Sequence, residues 1–118
     1  MIIIVTSSPR EAGALALLTG DRERAACTCA SVGQFRSQLR KTPPAIVLTR
    51  ASLVDGYSDD ILALLAKSGL LPGSRVIVLA GADCTPRQEA RQLSLGADCV
   101  LRDPLRPAVL VEYTTKFL

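Results

Sequence analysis

Five short apolar runs recur along this chain, and each is followed by residues that start a helix or repeat at helical spacing. Ile2 to Val5 is β-branched and leads into Ser8-Pro9, an N-cap with proline at the first helical position. Leu15, Leu17 and Leu18 are assigned to the apolar face of that first helix, Gly20 to its stop, and Asp21 to Arg24 to a charged turn beyond it. Ala26 to Ala30 is a second, small-residue strand. Ser31 then caps a helix over Val32 to Lys41, in which Val32, Phe35 and Leu39 stand at helical spacing. Pro43 and Pro44 end it and release the third strand, Ala45 to Thr49. After a loop through Asp55-Gly56, Ser58 precedes a third helix carrying Ile61, Leu62, Leu64 and Leu65, closed near Gly69 with Pro72 beyond. Arg75 to Leu79 is the fourth strand. Thr85, Pro86 and Glu89 then read as N-cap, first-position proline and first-turn acid of a helix from Pro86 to about Leu95, before Gly96. Cys99 to Arg102 forms a fifth strand, and Pro107 opens a last helix with Val109, Leu110 and Tyr113.

Strands alternating with helices form βαβ units, whose right-handed crossovers place the strands parallel in one sheet with helices on both faces. The predicted fold class is therefore α/β, a flavodoxin-like, doubly wound (βα)5 domain with five parallel strands in the order 2-1-3-4-5. Ligands of such a sheet bind outside the carboxyl ends of its first and third strands. At 118 residues the chain fits one domain, residues 1–118, around one core. Because 48% of residues are hydrophobic but only 3% aromatic, that core is built from Leu, Val, Ile and Ala, as covered parallel strands require.

Several function classes lose ground on composition. The apolar runs fall well short of the roughly 18 to 20 residues of a membrane span, and Met1 to Thr6 lacks the basic start and cleavage site of a secretory signal. Cys27, Cys29, Cys84 and Cys99 show no CxxC spacing, and there is no histidine to complete a zinc site. Reduced, packed thiols and a cytoplasmic location follow as expectations. Cys27 and Cys29, two apart in a strand, would share one face, which leaves a redox or metal role as the alternative. No metal or cofactor is expected otherwise. The missing histidine also removes the commonest general base, so an enzyme is not expected. A net charge of +3 with scattered basic residues argues against direct nucleic-acid binding.

Taken in order, Ile2 to Val5 with Ser8-Pro9, Pro44 to Thr49, Asp55-Gly56, Val76 to Leu79, Gly96-Ala97 and Pro104 resemble the landmarks of the bacterial response-regulator receiver (CheY-like) family over the whole chain. The resemblance implies a phosphorylation switch in signal transduction, built from an acidic pair after the first strand, an aspartate after the third, a hydroxyl after the fourth and a lysine before the proline. Carried onto this sequence, those positions hold Thr6 and Ser7, Arg50, Ala80 and Asp103. Neutral hydroxyls are poor Mg²⁺ ligands, and Arg50 has no oxygen to form an acyl phosphate. The resemblance thus points to a pseudo-receiver with a degenerate phosphorylation site.

The family's acid and base have exchanged places at Arg50 and Asp103, so an ion pair between them at the former phosphate site is expected, the alternative being two separate solvated charges. Asp55, Asp59 and Asp60 could suggest a displaced acidic site, but turn and helix-dipole roles explain them. The resemblance also implies an interaction face on the fourth helix, fifth strand and fifth helix, bearing Arg87, Arg91, Val100, Arg102, Arg106, Glu112 and Tyr113. Val100 stands where many receivers carry a rotating aromatic. The leading expectation is a domain of a two-component or transcriptional regulatory system that acts independently of phosphorylation, through a protein partner or as a dimer. An ending within the last helix at Phe117-Leu118 suggests the N-terminal domain of a longer regulator with a DNA-binding output. The alternative is a flavodoxin-like domain binding a small anion near Thr6, Ser7 and Arg50.

Overall fold

The structure is a computed structural model that describes residues 1–20 and 25–117. The expected turn from Asp21 to Arg24 lies outside the described residues. Five strands, β1 (Ile2–Val5), β2 (Ala26–Cys29), β3 (Ile46–Arg50), β4 (Arg75–Ala80) and β5 (Cys99–Arg102), alternate with helices α1 (Pro9–Thr19), α2 (Val32–Lys41), α3 (Ser58–Lys67), α4 (Pro86–Ser94) and α5 (Pro107–Lys116). A short antiparallel hairpin, Ser52–Leu53 with Gly56–Tyr57, interrupts the connection from β3 to α3. All five strands pair in parallel in the order β2-β1-β3-β4-β5. This is the flavodoxin-like sheet that the alternation predicts.

Strand periodicity divides the core in two, because successive side chains leave opposite faces of the sheet. Ile3, Val5, Val47, Val76 and Val78 pack on one face with Phe35 of α2 and Ile61, Leu62 and Leu65 of α3. Ile2, Ile4, Ile46, Leu48, Ile77 and Leu79 pack on the other with Leu15 of α1 and Leu110 of α5. The central strands are therefore apolar on both faces, as helices above and below demand.

Helix starts follow the residues chosen for them. The hydroxyls of Ser8, Ser31 and Thr85 accept from the backbone N–H of Glu11, Gln34 and Gln88. At Thr85 the reciprocal partner is Gln88, whose side chain accepts from Thr85 N at 2.9 Å, which leaves Glu89 available elsewhere. Gly96 has φ of +115°, a backbone conformation in which any residue with a side chain is strained, and a Cβ there would also press on the end of the Leu71 side chain at 2.7 Å.

Three local expectations are corrected. On α1 the buried stripe is Ala12, Leu15 and Thr19, while Leu17 is 88% exposed and Leu18 sits at the edge of the stripe. At 100° per residue, Leu17 lies about 200° round from Leu15 and faces away from the sheet. α3 begins at Ser58 itself, with Tyr57 as its cap and Asp60 accepting from Tyr57 N at 2.9 Å. On that helix Leu64 is only partly buried, whereas Ile61, Leu62 and Leu65 are fully so.

Phe35 is fully buried, so Phe35→Ala is expected to lower stability by about 3 to 5 kcal/mol. Leu17→Ala should stay within about 0.5 kcal/mol of the parent in the same urea unfolding experiment. A large loss at Leu17 would reject the register of α1.

Candidate functional site

Parallel pairing sets Val5 against Thr49, Arg50 against Leu79 and Ala80 against Arg102. The segments that leave β1, β3 and β5 therefore emerge together at one edge of the sheet, where Asp103 N donates to Ala80 O at 2.9 Å. Arg50, the last residue of β3, lies between two carboxylates. Its Nε and Nη2 donate to Glu11 Oε1 and Oε2 at 2.7 and 2.5 Å. Its Nη1 and Nη2 donate to Asp103 Oδ2 and Oδ1 at 2.9 and 3.0 Å. Both contacts are bidentate, the geometry for which a guanidinium fork is suited.

The structure thus brings Arg50 and Asp103 together and adds Glu11, which sequence reasoning passed over. Glu11 is in the first turn of α1, three residues after its cap Ser8, the position from which an acid ordinarily folds back on the cap. Here the carboxylate reaches across to β3 instead, and Thr6 Oγ1 donates to it at 2.9 Å. The side chains of Arg50 and Glu11 retain 20% and 23% of their exposure, that of Asp103 38%. Hydrogen bonding from Arg50, against the opposing effect of burial, holds the Glu11 carboxyl below its ordinary value, with Thr6 assisting. The same Glu11 contact raises the Arg50 pKa still further, so its charge is permanent.

These contacts limit what the site can hold. Four of the five N–H groups of Arg50 are engaged, and Thr6 and Ser7 are committed as well. Ser7 Oγ donates to Ala30 O at 2.9 Å and accepts from Val54 N at 3.0 Å, tying the loop after β1 to those after β2 and β3. Two carboxylates against one guanidinium leave a formal charge of minus one. A small anion at Thr6, Ser7 and Arg50 would meet occupied donors and net negative charge, so the geometry favours the ion cluster over the anion site. Among the described residues, no three His, Cys, Asp or Glu side chains are grouped so as to hold a metal ion.

The acids of the β3–α3 connection also have structural duties. Asp55 accepts from Val32 N and Gly33 N at 2.7 and 3.0 Å, capping α2 from a distant loop, and these two amides hold its pKa below the ordinary value. Asp59 accepts from Arg91 Nε at 3.0 Å and from Gln92 Nε2 at 2.6 Å. Ala80 and Val100, with Ala51 and Val78, line a cleft of about 640 Å³ beside α4.

The residues assigned to the interaction face separate into two groups. Arg91 turns toward α3 through Asp59, and Arg102 is held by Glu89 Oε2 at 2.6 Å and Cys84 O at 3.0 Å. Tyr113 is half-buried against the core, with its ring 6.0 Å from that of Phe117. Arg87, Arg106 and Glu112 are exposed and make no ion pair among the described residues.

At the level of sequence no protein-family model matches the chain, and no curated protein does. Solved structures do. The signal receiver domain of a DNA-binding response regulator from Colwellia psychrerythraea 34H superposes with a TM-score of 0.88 at 18% identity, covering 98% of this chain and 94% of that one. The receiver domain of NtrX from Brucella abortus gives 0.88 at 15%, covering 100% and 98%. The beryllofluoride-activated NtrC4 receiver domain dimer gives 0.86 at 12%, covering 98% and 93%. Likeness at these identities establishes a receiver-type fold.

Arg50→Ala leaves Glu11 and Asp103 without their shared cation, and is expected to destabilise the domain by about 3 kcal/mol, the lower end for an uncompensated charge because Asp103 is screened. Adding Glu11→Gln and Asp103→Asn should recover most of that loss in urea unfolding. Since the Glu11 pKa is depressed from 4.5 on folding, its stabilisation is complete above that value and lost as pH falls through the lower folded value. The gap between parent and Arg50→Ala is therefore widest at neutral pH and narrows in acid; a gap independent of pH would contradict the assignment.

Proposed function

We propose that this chain is a receiver-like signalling domain of a bacterial regulatory system that is not phosphorylated and that acts through protein contacts, first of all with a second copy of itself. The observation that carries this reading is Arg50 at the carboxyl end of β3. In a receiver-type fold that position corresponds to the phosphoacceptor, and here it holds a cation clamped by Glu11 and Asp103. Arginine has no oxygen nucleophile for an acyl phosphate, and its charge occupies the space in which a divalent cation would be needed. Thr6, Ser7 and Ala80 complete the degenerate phosphorylation site. The clamp joins the β1–α1, β3 and β5–α5 segments, and so favours one conformation of the site without an input from phosphate.

For contacts, the α4-β5-α5 face is the candidate. Arg87, Arg106 and Glu112 supply charge of both signs that makes no ion pair among the described residues, and Leu93, Leu95 and Val111 supply partly exposed apolar surface. A two-fold interface presents one patch to itself, so it requires self-complementarity of this kind. That a receiver of similar fold was solved as a dimer supports the plausibility of the arrangement. The role is non-enzymatic and cytoplasmic, in transcriptional or other signal regulation, with no direct nucleic-acid contact by this domain.

Titration with Mg²⁺ and beryllofluoride, followed by amide chemical shifts, is expected to produce no saturable change around β1 and β3. A saturable response centred there would overturn the reading. Light scattering over a concentration series is expected to show a dimer that Glu112→Arg weakens. A strict monomer would eliminate self-association and direct the search to a different protein partner.

A further inference from the structure

β2 is an edge strand, and it carries two thiols that the Arg50 cluster does not involve. In register, Cys27 pairs with Ile3 and Cys29 with Val5, both on the sheet face packed by α2 and α3. Two residues along a strand put both thiols on that same face with their Cα atoms about 6.6 Å apart. Beside α2 the face opens into a groove of about 510 Å³, lined by Cys27, Cys29, Ser31, Gln34, Gln38 and Lys41 among others, with no carboxylate in its wall among the described residues. Cys29 is 3% exposed and Cys27 half-buried, which leaves one thiol reachable from outside. Burial, reinforced by the Cys27 thiol, pushes Cys29 up to about 11, so it carries its proton at neutral pH.

This donor set is selective. Ca²⁺ and Mg²⁺ require oxygen ligands, and structural zinc requires four donors, whereas two sulfurs without acids suit a soft ion of low coordination number. We propose that Cys27 and Cys29 bind one soft monovalent cation, Cu(I) or Ag(I), as a two-coordinate dithiolate. Binding replaces both thiol protons with one metal ion, giving a bis-thiolate complex of charge minus one and two protons released to solvent, with no change of oxidation state. Lys41, in the wall of the same groove, supplies the opposing charge. The site is independent of the proposed signalling role and can stand or fall without it.

The test is an anaerobic titration of the whole chain with Cu(I) against a chromophoric Cu(I) chelator, with proton release followed in weak buffer. One tightly held equivalent and release of both protons are expected. Cys27→Ser, at a half-exposed position, should weaken binding by more than about 100-fold, the upper end of what loss of an outer-sphere partner costs. Cys84→Ser and Cys99→Ala should leave it unchanged. Because Cys29→Ser places a hydroxyl in the core, Cys27→Ser is the deciding variant, with its fold verified by circular dichroism. Undiminished binding in folded Cys27→Ser, or no binding that competes with the chelator, overturns the proposal.

Discussion

A single guanidinium at the end of β3 organises one edge of this domain. Arg50 contacts a helix residue that follows β1 and a loop residue that follows β5, so three separately connected segments are fixed by one side chain. Two bidentate contacts define its orientation as well as its position, which a lysine ammonium could not do. Thr6 and Ser7, by bonding Glu11, Ala30 and Val54, extend the same order to the loops around it. The edge of the sheet at which this topology places its chemistry is consequently a closed network of internal contacts.

Below that edge the structure rests on an ordinary condition, that three central strands are apolar in both directions. Ile2 to Val5, Ile46 to Leu48 and Val76 to Leu79 are buried without exception, and among the described residues no charged side chain enters either core cluster. The charged residues that matter lie at strand ends, Arg50 and Asp103 above all. Burial of the strand bodies holds those ends at fixed separations, and so allows a partly exposed ion cluster to keep its geometry despite the small net gain usual for such contacts.

Much of this was legible in the residues themselves. Strand order followed from the alternation of elements, and three helix starts followed from Ser8, Ser31 and Thr85, because capping is local chemistry. The sequence also suggested that Arg50 and Asp103 would meet, although 53 residues separate them, once the topology had placed their strand ends near each other. Glu11 was overlooked because its position after Ser8 has a sufficient local explanation, and only the tertiary fold reveals that its carboxylate is used elsewhere. Asp55 is similar: Asp-Gly reads as a turn, while its carboxylate in fact caps a helix that begins 23 residues earlier. Leu17 failed for the opposite reason. Its apolar character suggested burial, but helical phase places it on the outer side of α1, and phase is the stronger constraint.

The order β2-β1-β3-β4-β5 also has a consequence for how the chain is made. β1 lies inside the sheet, with Ile2 beside both Ala26 and Ile46. Synthesis from the amino end therefore delivers an interior strand first, and one of its two edges has no partner until residues 46–50 have followed. Every pairing in the sheet is parallel and none can be closed by a tight turn, so each requires the closure of a long loop before its contacts form. During synthesis the apolar segment Ile2–Val5 thus waits with an open edge until residues 46–50 have followed, which makes it a natural place for a chaperone to bind or for nascent chains to associate.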